Sequence, residues 1–356
     1  MKRCCKWRAS YSPTMSIPNG ILVGMGNPLL DIQVSIGKDF LDKYQLKGND
    51  AILAEKHHLP MYQELPKMEG VQYIPGGATQ NVLRAFQWVV GESKKAIFFG
   101  SIGNDEFGKT LTKEATSAGV DVHYQIHDNE KTGVCGVLVY EHHRSLVTDL
   151  LAAQKYTIDH LEKTENWNRV EKAQYYYISG YFLSTCPPAL MKVANHAAET
   201  NKLFMVNLSA PFIPFAHKKE LDDALPYTDI LFGNRTEAEA YADSHGWNTH
   251  DLKEIALKLA NSEKVNKKRS RTVVITNDEH PIIVVHDGGI EEFPVKRLPS
   301  EVIVDTNGAG DGFVGGFLAE LVKGKPLKDS IECGCYTAQE VIQQSGCTFP
   351  KHCQYK

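Results

Sequence analysis

"VIVDTNGAGDGFVGGFLAELVKG", residues 302–324, reads as strand, loop and helix in immediate succession. "VIVD" is short, apolar and β-branched, and "FVGGFLAELV" carries apolar residues at helical spacing up to Gly324. Between them, Gly308, Gly310 and Gly312 let the backbone turn several N–H groups toward one point at the helix N-terminus. The helix dipole there is worth about half a positive charge. A carboxylate, Asp311, is built into this anion-binding loop, where it would repel a phosphate held at rest. An anion hole beside a carboxylate suits phosphoryl transfer to an alcohol. The N–H groups receive the charge of the group in flight, and the carboxylate takes the hydroxyl proton. A capped helix start without a ligand is the other reading of the same residues.

Outward from this unit, short apolar runs recur at 21–26, 95–103, 132–140, 173–183, 202–209, 229–234, 271–277 and 281–287. From about residue 170 helical stretches alternate with them ("PPALMKVANHAAETN", "TEAEAYADSHG", "LKEIALKLANS"). Near-continuously apolar strands alternating with helices predict a doubly wound α/β domain, a mostly parallel sheet with helices on both faces. Residues 31–53 and 121–150 interrupt the alternation with strand-like pieces that lack a crossover helix. Within a unit spanning 19–356, they are expected to pair into a small discontinuous β-rich lid that is inserted in the large α/β domain and excludes water from a reactive phosphate.

The 356 residues, 42% hydrophobic and 23% charged with net charge −4, describe an ordinary globular chain with no general attraction to nucleic acid or anionic membrane. No apolar run approaches the roughly 18–20 residues that span a bilayer. Residues 1–18 are expected to be a disordered tail, a weak mitochondrial-type leader being the alternative. Eight scattered cysteines fit neither a disulfide framework nor a zinc site, so reduced thiols in the cytosol are expected.

Two nucleotide-like patterns are decoys. "GNDEFGKT" (103–110) matches a P-loop, but Asp105 and Glu106 would oppose phosphates and instead suit a helix start. "GDGFVG" (310–315) matches a dinucleotide fingerprint without the βαβ unit that gives it meaning.

"DTNGAGDGF" resembles the C-terminal signature of the PfkB (ribokinase-like) carbohydrate and nucleoside kinases. "GMGNPLLDI" (24–32), "PGGATQN" (75–81), "HRSLV" (143–147), "NLSAPF" (207–212), "FGNRTEA" (232–238) and "GCTFP" (346–350) follow the order seen in the adenosine-phosphorylating branch of that family. The resemblance covers about residues 20–350. It implies a ribokinase-like fold and a cytoplasmic enzyme, with a nuclear pool also open. It implies transfer of the ATP γ-phosphoryl group to the adenosine 5′-hydroxyl with Mg²⁺, giving AMP and ADP. A monomer without nucleic-acid or membrane partners is expected. A ribokinase-type sugar kinase and a catalytically silent nucleoside-binding protein are the alternatives.

The resemblance also implies roles. Asp311 matches the base, and Asn307, Gly308, Ala309 and Gly310 match the anion hole. Asn27 and Asp31 match the residues on the ribose hydroxyls, helped by Gly76, Gly77 and Asn81; a plain turn after the first strand is the alternative. Arg144 matches a phosphoryl clamp, or is a surface arginine. Asn234 and Glu237 match the element that steers magnesium, through water, although an N-cap explains them equally. Thr276 and Asn234 are expected at the ATP. Leu29, Leu53, Cys135, Leu146, Leu150, Phe182 and Phe212 are expected around the adenine, each being ordinary core by itself. The chain departs from the usual pattern at Ala51, Thr148 and Asp149, which bears on base recognition. It also has Gly312 where alanine is common, expected to loosen the helix start by up to about 1 kcal/mol.

Overall fold

The structure, a computed structural model, describes residues 16–48, 51–140 and 143–355. Most of the expected N-terminal tail lies outside these. Fourteen strands are present among the described residues: β1 (Leu22–Met25), β2 (Leu29–Ser35), β3 (Ala51–Leu53), β4 (Gln72–Gly76), β5 (Ala96–Gly103), β6 (Asp121–His127), β7 (Val134–Tyr140), β8 (His143–Asp149), β9 (Tyr175–Ser179), β10 (Leu203–Asn207), β11 (Ile230–Asn234), β12 (Thr272–Thr276), β13 (Ile282–His286) and β14 (Gly289–Phe293).

Nine of them form one sheet in the order β14-β13-β12-β11-β10-β9-β1-β5-β6. It is parallel from β6 to β12 and antiparallel only in the terminal meander β12-β13-β14. Alternation along each strand feeds two separate cores. Tyr176 and Ile178 of β9 pack into one, under helices Pro187–Glu199 and Leu252–Asn261; Tyr175 and Tyr177 pack into the other, under helices Ala78–Val90 and Ala309–Val322. This is the doubly wound α/β domain expected.

The helix Ala309–Val322 is seated closely on its neighbours at two glycines. A Cβ on Gly315 would run into Ala85 Cβ, and one on Gly316 into Thr337 Oγ1 and the Cys333 carbonyl. The paired glycines of "FVGGF" therefore set how closely three helices pack.

A second, five-stranded sheet has the order β3-β8-β7-β2-β4. Its composition departs from the expected segments in two ways. Residues 121–127 are not part of it: they form β6, hydrogen-bonded in parallel to β5 at the edge of the large sheet. The helix Glu106–Ser117, hidden in the P-loop-like stretch, is the crossover between them. Conversely β4, with its proline and glycines, pairs antiparallel with β2.

Two further expectations fail locally. "VIVD" is not a strand: a 3₁₀ turn at Ser300–Val302 leads into chain whose Val304 and Asp305 N–H groups both donate to the Ile342 carbonyl, at 2.8 and 3.1 Å. That end of the sheet is already filled by the β12-β13-β14 meander. The run 173–183 stops as a strand at Ser179 and continues as a 3₁₀ turn. No helix among the described residues is long and apolar enough to cross a membrane, and the six described cysteines are free thiols.

Candidate active site

The two sheets enclose a cavity of about 1420 Å³, whose floor is the start of the helix Ala309–Val322. Gly308 is its N-cap at φ 80°, a left-handed conformation that glycine adopts without strain, and it backs onto Cys347. Asn307, Gly308, Ala309, Gly310 and Asp311 all line the cavity. Asn81 Nδ2 donates to Asp311 Oδ2 at 3.0 Å. Desolvation pushes Asp311 up to about 7; the Asn81 bond and the Arg84 charge oppose this, and the charge of Glu237 adds to it. A carboxyl poised near neutrality is suited to accept a proton. Gly312 does more than loosen the helix: a Cβ there would sit 2.9 Å from Val341 Cγ2 on the neighbouring helix Leu327–Ile342.

The next cluster lies where β1 ends and β2 begins. Asn27 Oδ1 accepts from Thr185 Oγ1 at 2.9 Å, and Asp31 faces the cavity from β2. Gly77, at φ 91°, lets the chain pass directly over the Asn27 carbonyl. Gly76 does not line the cavity; a Cβ there would occupy the place of the Asp31 carboxylate. Desolvation raises Asp31 to about 7, against the pull of Arg84 and Arg144. Arg84 was missed from the sequence. It is buried, donates to the Pro75 carbonyl at 2.6 Å and to Asn81 Oδ1 at 3.3 Å, and lies 5.6 Å from the Phe349 ring. Its signal was a cation three residues after Asn81 within an otherwise apolar helix pattern.

The small sheet supplies the opposite wall by simple alternation. Arg144, Leu146, Thr148 and Leu150 face the cavity from β8 and its end, with Leu29, Asp31 and Gln33 on β2. Leu53, Cys135 and Ala51 line it as well. Thr148 Oγ1 donates to Cys135 Sγ at 3.3 Å, and Asp149, on the other face of the strand, does not line the cavity. Phe212 borders the cavity and is 54% exposed. Phe182 is elsewhere: it is fully buried in the large-domain core against Tyr156, because an aromatic residue after an apolar strand serves a core as well as a pocket wall. Arg144 is not a surface arginine; its guanidinium is buried against Asp305.

Toward the far end, Asn234 and Glu237 form a capping box. Asn234 Oδ1 accepts from the Glu237 N–H, and the Asn234 N–H and Nδ2 donate back to the carboxylate, all at 2.9 Å. Both residues line the cavity, as does Thr276. Glu237 is buried and pushed up to about 7 by desolvation. Its hydrogen bonds come from neutral groups, so a carboxylate facing the cavity lacks a countercharge among its described bonding partners. One such acid beside an amide fits a hydrated divalent cation, which needs few protein ligands. Among the described residues no group of three or more metal-ligating acids, histidines or cysteines occurs.

The P-loop-like stretch takes no part. Asp105 caps its helix, accepting from the Gly108 N–H at 2.8 Å, and Lys109 Nζ is paired with Glu106 at 2.6 Å on the surface.

Residues 38–353 match the family described as pfkB family carbohydrate kinase. The chain is 49% identical over 333 residues to adenosine kinase 2 of Arabidopsis thaliana, a match covering 94% of this chain and 96% of that relative. Its fold superposes with a TM-score of 0.88 on Anopheles gambiae adenosine kinase in complex with P1,P4-di(adenosine-5) tetraphosphate, at 46% identity over 95% of this chain and 100% of that one. Adenosine kinase from Schistosoma mansoni in complex with 2-fluoroadenosine gives a TM-score of 0.87 at 38% identity, over 94% and 98% of the two chains. With the match spanning nearly the whole chain and the glycine loop, Asp311 and the small sheet meeting at one cavity, the chain belongs to the PfkB family of carbohydrate kinases.

Proposed function

We propose that this chain transfers the γ-phosphoryl group of ATP to the 5′-hydroxyl of adenosine, giving AMP and ADP. The observation that carries the reading is the convergence of three unlike surfaces on one cavity: the helix N-terminus with Asp311, the polar cluster of Asn27 and Asp31, and the apolar wall of the small sheet. A ribose diol is matched by a carboxylate and an amide, and an adenine by leucines and a thiol. The cavity exceeds the volume usual for one drug-sized ligand, leaving room for both substrates.

In this reading Asp31 and Asn27 hold the ribose hydroxyls, with the Gly77 backbone close by. Leu29, Leu53, Cys135, Leu146, Leu150 and Phe212 flank the adenine. The 5′-hydroxyl then lies against Asp311, which takes its proton as the oxygen bonds to the γ-phosphorus. The bond from that phosphorus to the bridging oxygen breaks, and ADP leaves. The Gly308 and Gly310 N–H groups receive the charge on the phosphoryl oxygens as it develops, the Asn307 N–H being engaged by Asp305, and Arg144 contributes a cation from the small sheet, acting as the lid. Asn234 and Thr276 border the polyphosphate. Magnesium, when bound near Asn234 and Glu237, supplies charge neutralisation at the phosphates.

The test is AMP formation by the purified chain with ATP and adenosine, compared with ribose as acceptor. AMP production with strong preference for adenosine is expected. Preference for ribose, or adenosine binding without AMP, would overturn the reading.

A further inference from the structure

The buried Arg144 guanidinium reaches across from the small sheet to the glycine loop. Its Nη1 donates to Asp305 Oδ2, and its Nη2 donates to Gln33 Oε1 and, at 2.9 Å, to Ser345 Oγ. Asp305 is buried and has no part in the chemistry described above. Its Oδ1 accepts from both the N–H and the Nδ2 of Asn307, each at 3.0 Å, and its Oδ2 accepts from the Gly346 N–H at 3.0 Å. With Arg144 this makes four donors on one carboxylate, which fills its acceptor sites. Gln33 Nε2 also donates to Ser345 Oγ at 2.9 Å, tying β2 to the same point.

Three pieces of chain distant in sequence thus meet on Asp305: the strand carrying Arg144, the first residue of the anion hole, and the C-terminal segment at 345–346. A buried ion pair between two sheets is costly unless its bonds are satisfied, and breaking one partner leaves an uncompensated charge. A contact serving adhesion alone could have been apolar. We propose that Asp305 is a positioning residue for phosphoryl transfer. It anchors the start of the glycine loop through Asn307 and holds Arg144 beside that loop, so that the lid and the loop are set together. This rests on the kinase reading above, and its test includes a measurement that needs no turnover.

Asp305→Asn keeps the size and one acceptor but removes the charge and sets an amide donor against donors. Misplacing a reacting group by about 1 Å can cost about 10²-fold. Asp305→Asn in the full chain is therefore expected to lower kcat by about 10²-fold with the KM for adenosine within about threefold. In an Arg144→Met background the same change is expected to cost at least about tenfold less, because the shared interaction is already gone. Multiplicative effects of the two substitutions would overturn the proposal. The second measurement is hydrogen exchange in the ligand-free chain. Arg144→Met, which meets Asn307 through Asp305, is expected to speed exchange of the Asn307 N–H at least about threefold while the large-sheet amides keep their protection. Unchanged exchange at Asn307, or loss of protection throughout both sheets, overturns the positioning role. If the wild-type chain makes no AMP, the kinase reading fails and the exchange result still decides the link. If it turns over normally but exchange is indifferent to Arg144, only the link fails.

Discussion

Asp311→Asn is expected to make this protein more stable and nearly inactive. The carboxyl faces the cavity floor with a pKa raised from 3.8 to about 7 by desolvation, so folding carries a penalty for keeping it ionised. The penalty is full above pH 7. It shrinks by about 1.4 kcal/mol per pH unit between 7 and 3.8, and vanishes below. Three units correspond to about 4 kcal/mol; because the group still faces the open cavity, about 2–4 kcal/mol is a fair range. Asparagine is neutral at every pH and can still accept the Asn81 bond through its oxygen. Thermal unfolding at pH 8 should therefore show a Tm higher by roughly 3–5 °C, and the gain should fade as pH is lowered toward 4. In the same preparation, AMP formation should fall by about 10²- to 10⁴-fold with loss of the base. A variant less stable than wild type at pH 8 would show that the carboxyl is not held against its burial. A variant that keeps its turnover would remove Asp311 from the chemistry.

The same pKa sets the acid limb of kcat/KM for adenosine: the ionised carboxyl is the active form, so the profile should fall as pH drops through about 7, and a flat profile down to pH 5 would exclude Asp311 as base. Lys109→Ala should leave turnover within about twofold, since Lys109 is paired with Glu106 on the surface; a lethal effect would restore the P-loop reading. Gly315→Ala should lower stability by about 1–3 kcal/mol in denaturant titration, because its Cβ would run into Ala85. An Ala variant as stable as wild type would mean that the two helices can separate at no cost.

Much of this could be read from the chain alone, wherever one residue type has one physical use. The capping residue Asp105 and most of the apolar strand runs are of that kind. Features set by a partner distant in sequence were not readable. "QYIPG" carries a proline and a glycine, and becomes a strand only because β2 lies beside it. "VIVD" has every local mark of a strand but meets a sheet whose end is already filled. Phe182 and Phe212 look alike in sequence, and only packing sends one to the core and the other to the cavity mouth. Arg84, Asp305 and Ser345 are polar residues whose value lies in what they touch, and the chain does not announce their contacts.

The glycine seam of the helix Ala309–Val322 bears on how far this protein can be altered. Asp311 and its hydrogen-bond donor Asn81 ride on two helices that meet at Gly315 with only the Ala85 methyl group between them. Elsewhere in the two cores a substitution can be absorbed by a neighbouring side chain adopting another rotamer. At this seam only a methyl group, which has no rotamer to change, stands between the helices, so a change in either helix is handed directly to the distance between base and donor. Efforts to stabilise or redesign the protein by repacking can range widely over both layers, but should leave this contact as it stands.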